Sequence, residues 1–392
     1  MENIIFFHIN EIVPHKGGVS KATYNLSQNL SRHGHKVWFV AAKKTFYEDE
    51  FENQLYLPEA SALVCPRNVE FLTNLIAEKQ ISIIINQCPI YSACIDLFSK
   101  LKDNTSLRII SCFHNSILTP LYNYAYQKEY MLTKNHLRYI FKSLDTKLAK
   151  NIIVGLYKIK HKKEYNRIID ESNAVVLLND GLVEELIDLT NTREIYKLHS
   201  IANACSIQED FIPSSKSKSI VWVGTFDIAT KRPDLMIKVW SNLFEKYPEW
   251  TLKMLGDGRG LEEMKELSKK MKIKNISFEG RVDPTPYYKE ASIIAVTSTH
   301  ESFSLVTIEA LHYKCVPVVF NSFPAASIII SNNVNGVLVE PFSLTKFENS
   351  LSSLMQDSIS LERMSAQSEL TMPNFDDELI YHKWYTLFKA IK

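Results

Sequence analysis

Residues 293–320, IIAVTSTHESFSLVTIEALHYKCVPVVF, contain one complete strand–helix–strand unit, from which the fold class can be predicted. It opens with a β-branched run, continues through a polar loop into a segment with helical spacing of apolar residues, and closes with a second apolar run. Joining two strands through a helix favours a parallel pair. We therefore expect a parallel sheet that is covered by helices on both faces.

The same alternation recurs along most of the chain. It predicts strands at 4–9, 36–41, 81–86, 107–113, 174–178, 220–223, 251–255, 276–278, 293–297 and 316–320, and a helix at 20–33. The rhythm pauses at 207–219, where QEDFIPSSKSKS has little to bury. We predict an α/β fold of two Rossmann-like, doubly wound domains that face each other across a cleft. The expected division is an N-terminal domain, 1–206, a linker, 207–219, a C-terminal domain, 220–375, and a C-terminal helix, 376–392, that packs back on the N-terminal domain.

Composition argues against several classes of protein. The 45 basic and 44 acidic residues leave a net charge of +1, whereas a nucleic-acid binder usually has a clear basic excess. No apolar run approaches the roughly 18 to 20 residues of a transmembrane helix, and MENIIFFHIN lacks the features of a signal peptide. The six cysteines have no metal-binding or redox spacing, so we expect structural thiols in a cytoplasmic protein.

Residues 122–167 interrupt the βα rhythm. They are helical in propensity, carry 11 Lys and Arg against three Asp and Glu, and are interleaved with tyrosines. A basic, aromatic, helical insertion suggests peripheral contact with an anionic membrane surface or with an anionic acceptor. The alternative is a pair of ordinary helices with a solvated basic face.

Two glutamates in the opening stretch mark a candidate site. Glu301 lies in the loop after a strand, and Glu309 is expected about two turns into a helix that begins near Phe303. Amides of the first turn, at Ser304, Leu305 and Val306, would suit a phosphate. A carboxylate at Glu309 could accept hydrogen bonds from a ribose diol. Spacing alone equally allows two solvated glutamates at a helix start.

The stretch resembles the signature of the GT-B fold retaining glycosyltransferases of family 4, in which two glutamates separated by seven residues precede a proline-led strand. Here these are Glu301, Glu309 and Pro317. HKGGVSKATYNLSQNL, IVWVGTFDIATKRPDLMI, LKMLGDGRGLEEM, ISFEGRVDPTPYYKEAS, HSIANACSI and NNVNGVLVEP are also similar to segments of that family. The resemblance covers nearly the whole chain apart from the basic insertion.

The resemblance implies roles around the donor diphosphate. Gly17 and Gly18 would let the backbone approach the pyrophosphate or the acceptor. Lys231 would supply a positive charge to the leaving diphosphate, and Arg232 is the alternative cation, because Thr225 stands where the family usually has arginine. The resemblance also implies which residues contact the nucleobase and the donor sugar. The backbone at Arg281 and Val282 would hold the base, Glu301 would contact the donor sugar or stabilise the transition state, and His114 would lie near the sugar and the acceptor.

Glycine is scarce in this chain, with 11 residues where average usage would give roughly 27. Seven of them lie at turns that match the family pattern. Two departures concern positions where the family commonly has glycine: Ser304, and the pair Lys314 and Cys315 before the last strand.

The resemblance implies a retaining transfer of a sugar from a nucleotide-sugar, with a UDP-sugar favoured over a GDP-sugar, to a hydroxyl of a glycan or a lipid-linked acceptor. It also implies a metal-independent reaction without a cofactor, in cell-surface polysaccharide or glycolipid synthesis. The basic insertion adds the expectation that this cytoplasmic protein lies at the inner face of the cytoplasmic membrane. The alternatives are a GT-B fold UDP-sugar epimerase and a non-catalytic nucleotide-sugar-binding relative. A dinucleotide-dependent oxidoreductase is disfavoured, because the Gly17 and Gly18 pair does not form GxGxxG.

Overall fold

The computed structural model describes residues 1–14, 17–44, 53–102, 106–129, 145–207 and 215–391. The chain groups into two compact units. The first unit contains residues 1–115, 156–206 and 376–392, and the second contains residues 116–155 and 207–375. Residues 116–155, which were expected in the N-terminal domain, thus group with the second unit. Part of the expected linker and part of the basic insertion, at 208–214 and 130–144, lie outside the described residues.

The described part of the first unit forms a seven-stranded parallel sheet with the order β3-β2-β1-β4-β5-β6-β7. Its strands are β1 (Asn3–Asn10), β2 (Lys36–Lys43), β3 (Gln54–Tyr56), β4 (Ile83–Asn86), β5 (Arg108–Phe113), β6 (Ala174–Leu177) and β7 (Leu198–Ser200). Alternate residues of β1 enter cores on opposite faces of the sheet, with Ile4 and Phe6 on one side and Ile5 and Phe7 on the other. The sheet is therefore covered on both faces.

The second unit repeats this winding. Its described residues form a six-stranded parallel sheet with the order β10-β9-β8-β11-β12-β13. Its strands are β8 (Ser217–Val223), β9 (Thr251–Leu255), β10 (Ile276–Gly280), β11 (Ala291–Val296), β12 (Val316–Phe320) and β13 (Val337–Val339). Both strand orders are those of a doubly wound fold, which confirms the predicted Rossmann-like domains.

Helices surround both sheets. In chain order the described α-helices are α1 (Gly18–Arg32), α2 (Pro66–Lys79), α3 (Ser92–Lys102), α4 (Thr119–Tyr122), α5 (Tyr124–Glu129), α6 (Lys147–Glu171), α7 (Asp180–Thr190), α8 (Pro233–Ser241), α9 (Leu261–Lys270), α10 (Thr285–Glu290), α11 (Leu305–His312), α12 (Pro324–Ile329), α13 (Leu344–Gln356), α14 (Ser358–Thr371) and α15 (Asp377–Ala390). Among them, no helix combines the length and the apolar character that crossing a bilayer requires.

The ten predicted strands are all present, with bounds that differ by up to three residues. The structure adds three short strands that the sequence did not predict, β3, β7 and β13. Each has three residues and lies at the edge of its sheet. A run of three residues is too short to show a period-two pattern, so only pairing with a neighbouring strand identifies it.

Candidate functional site

Two loops of the second unit follow neighbouring strands at the point where the strand order reverses. We call residues 224–232 the β8 loop and residues 297–304 the β11 loop. In doubly wound folds, ligands bind at the carboxyl ends of the strands at this switch point. Any donor site of the second unit is therefore expected at these loops.

Hydrogen bonds join the two loops. The Thr297 hydroxyl donates to the backbone carbonyls of Lys231 and Arg232, at 3.0 Å each. The backbone N–H of Thr299 donates to the carbonyl of Thr230 at 2.7 Å. These bonds fix the course of both loops, so that side chains distant in sequence meet there.

Lys231 and Glu301 form an ion pair between the loops. Lys231 Nζ lies 2.5 Å from Glu301 Oε1, and the Ser298 hydroxyl donates to the same oxygen at 2.7 Å. The Lys231 side chain is 24% exposed and that of Glu301 is 11% exposed. Because water is largely excluded, the pair interacts more strongly than an exposed pair would. The structure thus brings together the two charged residues that were expected at the diphosphate and at the donor sugar.

Arg232, the second cation expected near the diphosphate, has a different position. Its side chain is only 1% exposed, and its Nε and Nη2 donate to the two carboxylate oxygens of Asp234 at 2.8 and 3.0 Å. Its Nη1 donates to the backbone carbonyl of Tyr126 at 2.6 Å. This corrects the expectation for Arg232, because a buried guanidinium held in a bidentate pair braces the start of α8 instead of facing a ligand.

The β11 loop leads into α11 through a left-handed residue. Ser304 has φ 70° and ψ 65°, and its Oγ lies 2.8 Å from Thr307 Oγ1. The helix therefore begins at Leu305, not near Phe303 as expected. Leu305 and Val306 occupy the first turn, where backbone N–H groups have no acceptor within the helix. The geometry is compatible with the predicted phosphate contact, which stays a prediction.

Glu309 is the fifth residue of α11, slightly more than one turn from its start and not two turns as expected. The residue is 7% exposed, and its Oε2 accepts a hydrogen bond from the Tyr288 hydroxyl at 3.4 Å. Burial raises the pKa of Tyr288, so this hydroxyl remains a donor at neutral pH. The ribose contact of Glu309 stays a prediction.

The segment around α4 and α5 supports the β11 loop within the second unit. Ser116 Oγ donates to the backbone carbonyl of Glu301 at 2.9 Å. Asn123 Nδ2 donates to the carbonyls of Thr299 and Ser322, at 2.6 and 2.9 Å. Two side chains from an earlier part of the chain therefore hold the backbone that presents the Glu301 carboxylate.

His300 is a titratable residue of the β11 loop that the sequence analysis did not single out. Its Nδ1 lies 3.1 Å from Thr299 Oγ1. Burial lowers its pKa, and the charge of Lys231 lowers it further, although Glu301 opposes the shift. The imidazole is therefore neutral at pH 7 beside the ion pair. Its position next to Glu301 in a polar loop is the signal that could have identified it.

Two other predicted features of the second unit have distinct positions. A Cβ at Gly256 would lie 1.8 Å from the backbone oxygen of Gly224, so the turn after β9, in the segment LKMLGDGRGLEEM that resembles the family, requires glycine there. Arg281 and Val282 follow the edge strand β10 and are exposed. The contact of their backbone with a nucleobase stays a prediction.

The glycine pair of the first unit lies at the start of α1. Gly17 is the N-cap residue with φ 124°, and Gly18 is the first helical residue, two positions before the expected start at Ser20. No atom of the described residues lies within 4 Å of a Cβ built on either glycine, beyond the adjoining backbone. The backbone conformation, and not crowding, therefore requires glycine at Gly17.

His114 follows β5 in the first unit. Its Nε2 donates to Oε1 of Gln87, the residue after β4. Burial and, to a smaller extent, the nearby His8 lower the pKa of His114 to about 4. The imidazole is therefore neutral at pH 7, with Nδ1 as its acceptor atom. Such a group can form hydrogen bonds with sugar hydroxyls, although the role of His114 stays a prediction.

The described residues were compared with the arrangement that a metal site requires. Within the described ranges, no group of three or more His, Cys, Asp or Glu side chains is arranged to hold a metal ion. Lys231 and the first turn of α11 offer positive potential to an anion at the switch point. The absence of a metal requirement stays a prediction.

Comparison with known proteins assigns the second unit. Residues 206–371, which include both loops, match the family glycosyl transferases group 1. The match covers 166 of the 392 residues of the chain. Over 389 residues it is 23% identical to an uncharacterised glycosyltransferase of Haemophilus influenzae, a match that covers 98% of this chain and 99% of the relative. The protein is therefore a glycosyltransferase, as the resemblance implied.

Two further matches give this glycosyltransferase a context. It is 24% identical over 220 residues to a poly(glycerol-phosphate) alpha-glucosyltransferase of Bacillus subtilis, covering 55% of this chain and 32% of the relative. A mutant of S. aureus TarM, whose structure contains Fondaparinux, alpha-GlcNAc-glycerol and UDP, has a TM-score of 0.73 at 13% identity, covering 99% of this chain and all of the other. At this identity the second likeness shows the GT-B fold alone.

The candidate residues of the glycosyltransferase are thus divided between the units. Lys231 and Glu301 meet in the second unit, whereas Gly17, Gly18 and His114 belong to the first. The sequence analysis missed the residues that hold the β11 loop. No local signal could have found Asn123, because its partner at Thr299 is 176 residues away along the chain.

Proposed function

We propose that this glycosyltransferase moves a sugar from a UDP-sugar to a hydroxyl of a glycan or a lipid-linked acceptor, with retention at the anomeric carbon. The observation that carries the proposal is the Lys231 to Glu301 ion pair at the switch point of the second unit. The UDP in the TarM structure and the polymer acceptor in the name of the Bacillus relative support the donor base and the acceptor class.

The proposed chemistry is electrostatic. When the glycosidic bond to the diphosphate breaks, negative charge grows on the leaving oxygen. Lys231 and the first-turn amides of α11 stabilise that charge. A diphosphate that approaches Lys231 competes with Glu301 for the ammonium group, which frees the carboxylate to accept hydrogen bonds from sugar hydroxyls. In a same-face displacement, the departing phosphate helps to deprotonate the acceptor.

Glu309 and His114 complete the proposed site. Glu309 binds the ribose diol of the donor, and the neutral His114 forms a hydrogen bond with the donor sugar or the acceptor. No metal is required in this scheme, because a lysine and helix amides supply the positive potential. The reaction serves the synthesis of a cell-surface polysaccharide or glycolipid.

We also propose that the protein contacts the inner face of the cytoplasmic membrane through residues 122–167. The support is charge, because the segment has 11 basic and three acidic residues. Basic segments are attracted to anionic lipid headgroups. The contact would place the enzyme beside a lipid-linked acceptor.

Titration calorimetry with UDP and GDP, together with turnover over a panel of nucleotide-sugars, tests the reaction. We expect Glu309→Ala to weaken UDP binding at least tenfold, and Glu301→Ala and Lys231→Ala to reduce kcat by about 100-fold or more, the range for loss of one transition-state contact. Lys218→Ala is the matched control, because Lys218 forms an exposed pair with Glu249. Unchanged UDP affinity in Glu309→Ala would contradict the ribose role, and an inverted product anomer would contradict retention.

A further inference from the structure

One face of α6 exposes large aliphatic side chains to solvent. They recur at intervals of four, four and three residues, which places them in a single stripe along the helix. The members of this aliphatic stripe are Leu148, Ile152, Leu156 and Ile159, exposed to 72, 54, 64 and 81%. The stripe is roughly 17 Å long at the rise of an α-helix.

The same helix also has an ordinary buried face. Val154, Ile168 and Ile169 are each at most 3% exposed. Tyr165, one of the tyrosines expected to interleave the contact surface, is 7% exposed and stacks on Phe113 with the ring centroids 5.8 Å apart. Tyr165 therefore belongs to the core and not to a contact surface, which corrects the expectation for this one tyrosine. The helix already has a core-facing side, and packing against the described part of the chain does not cover the exposed stripe.

Lysines flank the stripe. Residues 147–163 contain six lysines and no Asp or Glu. Lys150 pairs with Asp145, and Lys158 pairs with Asp188, each at 2.5 Å. At 100° per residue, Lys160 and Lys162 lie on opposite sides of the stripe and Lys163 lies in line with it. The exposed face is therefore both aliphatic and positively charged.

A basic groove continues this face in the first unit. An open groove of about 380 Å³ is lined by Ser92, Ile95, Lys160, Lys163, Glu164, Arg167 and Ile168. Of the two acidic residues beside it, Asp96 pairs with Arg167, and Glu164 Oε2 lies 3.3 Å from His161 Nδ1. Lys160 and Lys163 have no ion-pair partner among the described residues. The groove thus offers two ammonium groups to an anion beside the aliphatic stripe.

We propose that this face of α6 docks on an anionic lipid bilayer, with the aliphatic stripe in the interfacial region and Lys160 and Lys163 at the headgroup phosphates. A helix face that exposes aliphatic side chains between lysines suits such an interface, because the apolar groups enter the headgroup boundary while the ammonium groups meet the phosphates. A second copy of the chain fits less well, because it would bring the two lysine sets close together. The proposal rests on the membrane contact of the proposed function and names the surface that makes it.

Vesicle flotation tests the docking face with the full chain. The probes are vesicles of phosphatidylcholine alone and vesicles with 30 to 40% phosphatidylglycerol, on the order of a strongly anionic leaflet. We expect the protein to float with the anionic vesicles and to remain at the bottom with the neutral ones. Leu156→Ser with Ile159→Ser, and separately Lys160→Glu with Lys163→Glu, should each reduce the floated fraction at least fivefold.

A matched control tests whether any exposed aliphatic residues, and not only those of the stripe, would support flotation. Ile359 and Leu370 of α14 are exposed to 79 and 73%, so Ile359→Ser with Leu370→Ser should float as the wild type does. Failure of the wild type to float at low salt, or an equal loss in this control, would overturn the proposal. A stripe variant that turns a dimer into a monomer in light scattering would also overturn it, in favour of a second copy.

Two activities are measured in the same variants, donor hydrolysis and sugar transfer to a soluble acceptor. They distinguish a failure of the docking face from a failure of the proposed reaction. Neither activity requires vesicles, so both should persist in the stripe variants. Normal flotation with no transfer would count against the reaction alone. Normal transfer with no flotation would count against the docking face alone.

Discussion

At the scale of single residues, the two departures from the family's glycine pattern have a common explanation. Ser304 has φ 70° and Lys314 has φ 59°, so both adopt the left-handed conformation that glycine adopts without strain. A residue with a Cβ costs about 1 kcal/mol there. The chain thus keeps the turns on both sides of α11 without the residue that usually forms them.

Lys314 allows this cost to be measured. It follows the end of α11, where glycine is favoured, and its side chain pairs with the exposed Glu369. We expect Lys314→Gly to raise the free energy of unfolding by about 0.5 to 1 kcal/mol, as measured by chemical denaturation. Lys314→Ala is the control, because it also loses the ion pair but retains the Cβ. Equal stability of the two variants would show that the backbone at this position carries no strain.

At the scale of elements, the segment with α4 and α5 is more than a connection. Within the second unit, Ser116 and Asn123 donate to backbone carbonyls of the β11 loop, and Tyr126 stacks on Phe342 with the ring centroids 3.9 Å apart. The Arg232 guanidinium also donates to the Tyr126 carbonyl. The segment therefore positions the β11 loop and is itself held by the β8 loop.

Asn123→Asp should expose this positioning role. The change keeps the shape of the side chain but removes the amide that donates to the carbonyls of Thr299 and Ser322. We expect kcat to fall about tenfold, with the KM for the nucleotide-sugar nearly unchanged, because each lost hydrogen bond costs about 1 kcal/mol. Asn242→Asp, at an exposed contact with Glu348, is the control. A rise in KM with normal kcat would instead indicate a role in donor binding.

At the scale of the whole molecule, the chain builds its first unit from both ends of the sequence. The C-terminal helix α15 contributes Ile380, Trp384 and Phe388 to a core that also contains Ile4 and Phe6 of β1. Its first turn is fixed by polar contacts to α1, where Asn29 donates to the carbonyl of Asp377 at 2.6 Å and Arg32 pairs with its carboxylate at the same distance. The core of the first unit therefore depends on α15.

Trp384→Ala should weaken the first unit selectively. The side chain is 4% exposed, and loss of a buried tryptophan costs about 3 to 5 kcal/mol. We expect hydrogen exchange, followed by mass spectrometry, to accelerate in β1 and β4 and to change little in β8 and β11. Leu351→Ala, in the core of the second unit, should give the reverse pattern. Uniform acceleration in both sheets would contradict separate cores.

The two doubly wound sheets, and the positions of Lys231, Glu301 and Glu309 along them, could be predicted from local sequence patterns. Strand and helix periods are local properties, and a motif that follows a strand must lie at the carboxyl end of the sheet. The three-residue edge strands were not predicted, because they are defined by pairing with a neighbouring strand and not by periodicity. Tertiary structure alone decided that Arg232 is buried against Asp234, that Asn123 holds a loop 176 residues away, and that α6 leaves an aliphatic stripe exposed. Each of these depends on which surfaces meet in space. Packing and hydrogen bonds between segments that are distant in sequence determine those contacts.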